Sequence, residues 1–269
     1  MTRGSENLFD LTGRVAVVTG AGGGLGTAIC SGLAAYGADV ALVDLDAETL
    51  GEAATGVEAA GRRAVTIEAD ASDEAAVDRA FSKVDEALGR VDMLVNLPFV
   101  PISGPPQTLT LDDWNTAFRV NVTSYFLSCR QAAKRMIDRG AGGTIMNMCS
   151  IGGTSAVGRG SFPYSVGKGG IVMMTKEMAV EWARYGIRVN AIQPCQFLTP
   201  GLKIRLEDPA LGLIRDKFLS GIPLDRLGEP REMVGPVLFL VSDASSMVTG
   251  VLLPVDGGNL AFNAGGTKD

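Results

Sequence analysis

Residues 15–37 read VAVVTGAGGGLGTAICSGLAAYG. A short apolar, β-rich run, VAVVT at 15–19, ends in the glycine-rich turn TGAGGGLG at 19–26. Helical spacing takes over directly afterwards, with Ala28–Ala35 as its regular part. Strand, tight turn and helix in that order form the first half of a βαβ unit. The turn does not fit G-x-G-x-x-G in any register, since the sixth position falls on Leu25 or Thr27. The spacing that remains, Gly20-x-x-x-Gly24-x-Gly26, serves the same physical purpose. Glycines permit the turn and let backbone N–H groups, including that of Leu25, approach a pyrophosphate at a helix N-terminus.

Working outward, β-rich runs recur at 40–44, 64–69, 92–96, 143–148, 188–192 and 251–256. They are almost continuously apolar, as strands buried on both faces are, and do not alternate like half-exposed ones. Helical segments lie between them, among them Glu74–Leu88 and Trp114–Ile137. The pattern predicts an α/β fold: a Rossmann-like doubly wound parallel sheet of about seven strands, with helices on both faces. No Pro/Ser/Gly-rich linker divides residues 1–269, so one domain is expected. Residues 195–230 are less regular, carry Pro200, Pro209, Pro223 and Pro230, and read as an insertion that covers a ligand.

The second run ends in Asp44, followed by Leu45. A carboxylate at this point accepts both hydroxyls of an adenosine ribose and repels a 2′-phosphate, and Leu45 brings no compensating cation. NAD(H) is therefore expected over NADP(H).

Composition sets wider limits. Hydrophobic residues make up 46% and charged ones 20%, a globular balance, and the net charge of −6 gives no electrostatic reason for nucleic acid or an anionic membrane as partner. The four cysteines (Cys30, Cys129, Cys149, Cys195) form no close pair, and a chain with no histidine builds no zinc-ligand pattern, so no metal is expected. Unpaired thiols fit a reducing cytoplasm. The start, MTRGSENLFDLTGR, lacks the apolar core of a signal peptide, and Gly, Ser, Thr and Asn dilute the uncharged run between Arg139 and Arg159 too far for a membrane span.

Without histidine, proton transfer near neutral pH falls to another group. The stretch SFPYSVGK (161–168) sets Tyr164 and Lys168 at i,i+4, on one face of a helix. A free phenol titrates near ~10, but an adjacent ammonium and the positive ring of an oxidised nicotinamide each lower that by about 1–3 units. Tyr164 is thus a candidate general base. The pair follows the fifth run, GTIMNMCS, whose last residue, Ser150, stands at a carboxyl edge and is a candidate partner for the reacting oxygen.

In order along the chain stand TGAGGGLG, Asp44, EADASD, RVNV, Ser150, YSVGK, IRVNAIQP, Thr199, RLGEPREM and VTGVLLPVDGG. Taken together, from about Leu8 to about Leu260, the chain resembles a short-chain dehydrogenase/reductase. The resemblance implies hydride transfer between NAD(P) and an alcohol or ketone, with Ser150, Tyr164 and Lys168 catalytic. It implies that Asn121 anchors a water linking Lys168 to solvent. For the cofactor it implies contacts from Gly20, Gly24, Leu25, Gly26, Asp44, Leu45, Asp70, Ala71, Asn96, Tyr164, Lys168, Pro194, Phe197 and Thr199. It also implies a homotetramer, or a homodimer, paired through helices at 112–138 and 164–185. Phe118, Phe126, Met173, Met174 and Met178 are the candidate contact residues.

Two departures from the family pattern sit near this site. The family's N-N-A-G is here Asn96-Leu97-Pro98-Phe99, which makes Phe99 either a pocket wall or an outward-facing ring. The family's P-G is Pro194-Cys195. Arg159, Lys203, Arg205, Arg215 and Lys217 are candidate cations for an anionic substrate, with a polyol, sugar acid or similar secondary alcohol as the class. Two alternatives stand beside this reading: an NADPH-dependent ketone or 3-oxoacyl reductase, and a non-catalytic nucleotide sensor.

Overall fold

The computed structural model describes residues 7–158, 160–207 and 214–263. Seven strands form one sheet in the order β3-β2-β1-β4-β5-β6-β7, with every pairing parallel. They are β1 (Val15–Thr19), β2 (Asp39–Asp44), β3 (Ala64–Glu68), β4 (Met93–Asn96), β5 (Gly143–Met148), β6 (Ile187–Pro194) and β7 (Leu252–Val255). The helices are α1 (Gly24–Ala35), α2 (Ala47–Ala59), α3 (Glu74–Leu88), α4 (Leu111–Phe118), α5 (Ser124–Arg139), α6 (Phe162–Trp182), α7 (Pro200–Glu207), α8 (Ile214–Ser220) and α9 (Val234–Val241). All seven expected strands are present, with shifts of a residue or two at their ends.

Period-two alternation along β1 explains the two layers. Ala16 and Val18 face a core shared with Leu33 of α1, Leu50 of α2 and Val237 of α9. Val15 and Val17 face the other side, against Phe81 of α3 and Ala132 and Met136 of α5. Both faces are dry, which is why the strands carry no polar alternation. The strand order reverses between β1 and β4, and the crevice at that reversal opens at the strands' carboxyl ends.

One expected helix is interrupted. Trp114–Ile137 was read as continuous, but a π-helical turn, Arg119–Thr123, separates α4 from α5. The turn inserts one extra residue where Asn121 sits, and the side chain there bonds a distant segment. The Asn121 amide accepts from the Val100 N–H at 3.0 Å and donates to the Val100 carbonyl at 3.1 Å.

Candidate active site

The glycine-rich turn is shaped for a close approach. Gly20 has φ +73°, and a Cβ there would lie 3.0 Å from the backbone of Leu97 and of Pro98, directly across the crevice. A Cβ on Gly26 would meet the carbonyl oxygens of Gly20 and Ala21 at 2.5 Å. Helix α1 begins with no side-chain cap on Gly23, and its first backbone bond runs from Thr27 N–H to Gly23 O. The N–H groups of Gly24, Leu25 and Gly26 precede that bond, so this helix end has donors to offer an anion. Asp44 props the turn: Oδ2 accepts from the Gly22 N–H at 2.8 Å, and Oδ1 accepts from the Leu45 N–H at 2.7 Å. An uncapped glycine turn with a carboxylate at the end of the neighbouring strand fits a dinucleotide's pyrophosphate and ribose. Thr199 and Pro200, at the start of α7, stand over Gly24.

Asp70, after β3, accepts from the Ser72 N–H and hydroxyl at 2.8 and 2.6 Å, and from Arg119 at 3.3 Å. Burial works upward on its carboxyl, but the Ser72 and Arg119 contacts outweigh it and hold the pKa below the ordinary value. Ala71 follows it in the same turn. Pro194 ends β6 at the crevice. The neighbouring Cys195 thiol is raised to about 11 by burial, which makes it a poor nucleophile.

Three of the expected site residues have partners within the protein. Asn96 is fully buried, with its amide joined to Thr19 at 2.8 Å and to Asn147 at 3.0 Å, so its side chain braces the sheet beneath the crevice. Phe197 is 6% exposed and packs into the core and against Gly228. Asn121 bonds Val100, as described above. Phe99 is 60% exposed, its ring outward. Arg159 lies outside the described residues.

Ser150, Tyr164 and Lys168 do come together. Ser150 is buried; its Oγ accepts from the Gly152 N–H at 3.1 Å and favours the ionised form of the Tyr164 hydroxyl. Gln193 Nε2 donates to the Ser150 carbonyl at 3.2 Å and to Thr154 at 2.9 Å, locking the strand end. Lys168 is 1% exposed, with Nζ 5.7 Å from the centre of the Tyr164 ring. Its hydrogen bonds go elsewhere, to Tyr125 Oη at 3.0 Å and the Met148 carbonyl at 2.7 Å.

Within the protein, burial raises the Tyr164 hydroxyl above its ordinary value, partly offset by the Ser150 hydrogen bond. Burial likewise lowers Lys168 to about 8. Lys168 is not among the groups that lower the phenol here, and desolvation, which penalises the charged form of each group, dominates both shifts.

Sequence reading passed over Tyr125. In NVTSYFLSC it sits among helix-face residues, and the available signal was its i,i+4 relation to Asn121. A cavity of about 270 Å³ beside Ser150's loop is lined by Ile151, Ser155, Gln196, Lys217 and Asn259 among others. Of the candidate cations, Lys217 is the one on its wall.

Comparison with known proteins adds three findings. The family model described as "Enoyl-(Acyl carrier protein) reductase" matches residues 20–259. Gluconate 5-dehydrogenase of Gluconobacter oxydans (strain 621H) is 36% identical over 253 residues, spanning 94% of this chain and 96% of that protein. Two solved structures superpose closely. NAD+-bound xylitol dehydrogenase gives a TM-score of 0.87 at 31% identity, covering 92% of this chain and 99% of that one. A candidate 2-deoxy-D-gluconate 3-dehydrogenase from Agrobacterium tumefaciens, with NADP bound, gives 0.86 at 33%, covering 96% and 100%.

Proposed function

The chain belongs to the short-chain dehydrogenase/reductase family, and we propose that it transfers hydride between NAD and a secondary alcohol or the matching ketone, with Tyr164 passing the proton. The observation that carries this reading is the group at the carboxyl end of β5. There Tyr164 stands by Ser150, which favours its ionised form, beside a buried ammonium that has no carboxylate partner among the described residues.

A bound dinucleotide would supply the hydride acceptor or donor and, when oxidised, a positive ring near the phenol. The glycine turn and α1 would hold its pyrophosphate, and Asp44 its adenosine ribose. The chain's own groups then have distinct tasks. Ser150 holds the reacting oxygen and shares its hydrogen bond with Tyr164. Tyr164 accepts the hydroxyl proton on oxidation and returns it on reduction. Lys168 keeps positive charge near the phenol as it ionises, favouring that form. Asn121 acts at one remove, by fixing Val100.

The cavity's polar wall supports a hydroxylated substrate, polyol or sugar acid, with Lys217 facing a carboxylate. Asp44 supports NAD over NADP. The exposed Phe126 (43%) and Met173 (52%) support pairing through α5 and α6 into a tetramer. Phe118 stacks on Trp114, while Met174 and Met178 pack against the core, so those three belong to the subunit itself. All four cysteines are free, in keeping with the cytoplasm, and no helix among the described residues is long and apolar enough to cross a membrane.

The test is reduction of NAD across a panel of polyols and sugar acids, followed at the nicotinamide absorbance. Turnover with at least one member and a strong preference for NAD over NADP are expected. Asp44→Ala should erode that preference at least about tenfold, the scale on which loss of a charged hydrogen bond is felt. Full turnover in Tyr164→Phe would overturn the assignment.

A further inference from the structure

Tyr125 is the largest fully buried side chain of the molecule, at 0% exposure, and it is no inert filler. Its oxygen meets three groups: the Pro98 carbonyl at 3.1 Å, the Met148 carbonyl at 2.9 Å and Lys168 Nζ at 3.0 Å. A phenol carries a single proton, so it donates to one of the carbonyls and accepts from Lys168. Lys168 has three N–H donors, of which Tyr125 and the Met148 carbonyl take two. A lysine side chain held at one point swings; held at two it has a direction, with one donor left over.

We propose that Tyr125 is a positioning residue for Lys168: its phenol oxygen and the Met148 carbonyl together fix the ammonium so that its third N–H and its charge serve the site. This rests on the assignment of Lys168 to the proton-transfer group. The three features that meet at this one oxygen are otherwise unrelated in sequence. Pro98 belongs to the altered Asn96–Phe99 segment and has no N–H, but its carbonyl is used here. Tyr125 sits in the first turn after the π-helical insertion, and Lys168 lies on α6.

The geometry also makes Tyr125 an electrostatic partner. The titratable groups facing Lys168 are Tyr125, with Cys129 behind it, from α5, Cys149 after β5, and Tyr164 on α6 itself. Burial holds both phenols and both thiols in their neutral forms at neutral pH. With no negative group there, a hydrogen-bond acceptor is what stabilises the ammonium. Loss of that acceptor lowers the proton affinity of Lys168.

Tyr125→Phe keeps the ring and removes the oxygen. In protein labelled with ¹³C-lysine, the Lys168 resonance, identified by its absence in Lys168→Met, should titrate about one unit lower than in the parent, a typical effect of one lost hydrogen bond to a charged group. The alkaline limb of kcat should move with it. At high pH the variant then loses about tenfold more activity than it does at pH 7. A uniform loss across pH, with superimposable lysine titrations, would overturn the proposal and leave Tyr125 a packing residue.

If the variant does not fold, the parent protein suffices. With ¹³Cζ-tyrosine, one of the chain's four tyrosines should shift at the Lys168 midpoint, and no such shift would again overturn the proposal. The two readings fail separately. An active Tyr164→Phe removes the functional assignment, whereas an inactive Tyr164→Phe with unchanged lysine titration in Tyr125→Phe removes only this one.

Discussion

The two ends of the sheet handle charge in opposite ways. At the amino ends, Asp92 accepts from the Val15 N–H at 2.9 Å and pairs with Arg90 at 2.6 Å and Arg139 at 2.9 Å. Arg14 meets Asp243, and Asp39 meets both Arg62 and Arg63 at 2.7 Å. Arg188 donates to the Ser242 and Val248 carbonyls and the Ser245 hydroxyl, with Asp243 favouring its charge. A cavity of about 650 Å³ opens there, more than twice the volume of the one beside Ser150. At the carboxyl ends, apart from the exposed Arg119–Asp70 pair, Lys168 is buried against one phenol and one carbonyl. Matched charge builds structure; charge left without an opposite is what a reaction uses. Cavity size points to the wrong end of this molecule.

The sharpest way to break the comparison is to exchange what each end contributes. Tyr164→Phe should cost about 10²–10⁴-fold in turnover, the usual scale for a removed acid–base group, with cofactor affinity retained in a binding titration. Lys168→Met should be as inactive, yet the folded protein should become more stable at pH 7. Its ammonium titrates near 8 in the fold against 10.5 ordinarily, so the unfolded chain holds that proton more tightly. The penalty is complete below pH 8 and fades as pH rises toward 10.5. Thermal melts across that window should show the parent protein catching up with Lys168→Met.

Asp92→Asn is the mirror experiment. Two arginines lose their common partner, and about 3 kcal/mol of stability should go with it. kcat per folded molecule should not change. A catalytic defect there would mean that the two ends are not independent.

Smaller effects refine the picture. Lys217→Ala should lower kcat/KM for a sugar acid about tenfold and leave a neutral polyol nearly unaffected, the scale of one exposed charge-assisted contact. Equal losses on both would remove Lys217 from recognition. The smallest effect belongs to Asp39. Burial pushes its carboxyl up, but the Arg63 hydrogen bonds and both arginine charges bring it below 3.8. The stability it gives is present above that value and is lost as pH falls through the lower, folded one. Acid unfolding of Asp39→Asn should therefore be shallower than that of the parent.

The sheet was legible because its central strands, buried on both faces, each needed a nearly unbroken apolar run, and because glycines can mark a turn only where the backbone demands them. Asp44, Ser150, Tyr164 and Lys168 were legible because each follows a strand at a fixed place. The internal partners of Asn96, Phe197 and Asn121 were not legible, for one shared reason. A residue's rank in a motif gives its address, but the partner it bonds is decided by distant segments: Thr19 and Asn147, Gly228, and Val100. Tyr125 escaped because an aromatic inside a helix reads as packing until its hydroxyl's neighbours are known. Nor does spacing report desolvation, which set both pKa shifts at Tyr164 and Lys168.

The π-helical turn has a final consequence. A residue inserted into a helix rotates everything downstream by about 100°. That single step decides whether α5 aims an oxygen or a hydrocarbon at α6. Deleting one residue from 119–123 would keep both helices and their composition while winding Tyr125 to another side of the rod. The contact between Tyr125 and Lys168 thus depends on a count of residues in the turn just before Tyr125, a change that alters the length of the chain and not the letters of its motifs.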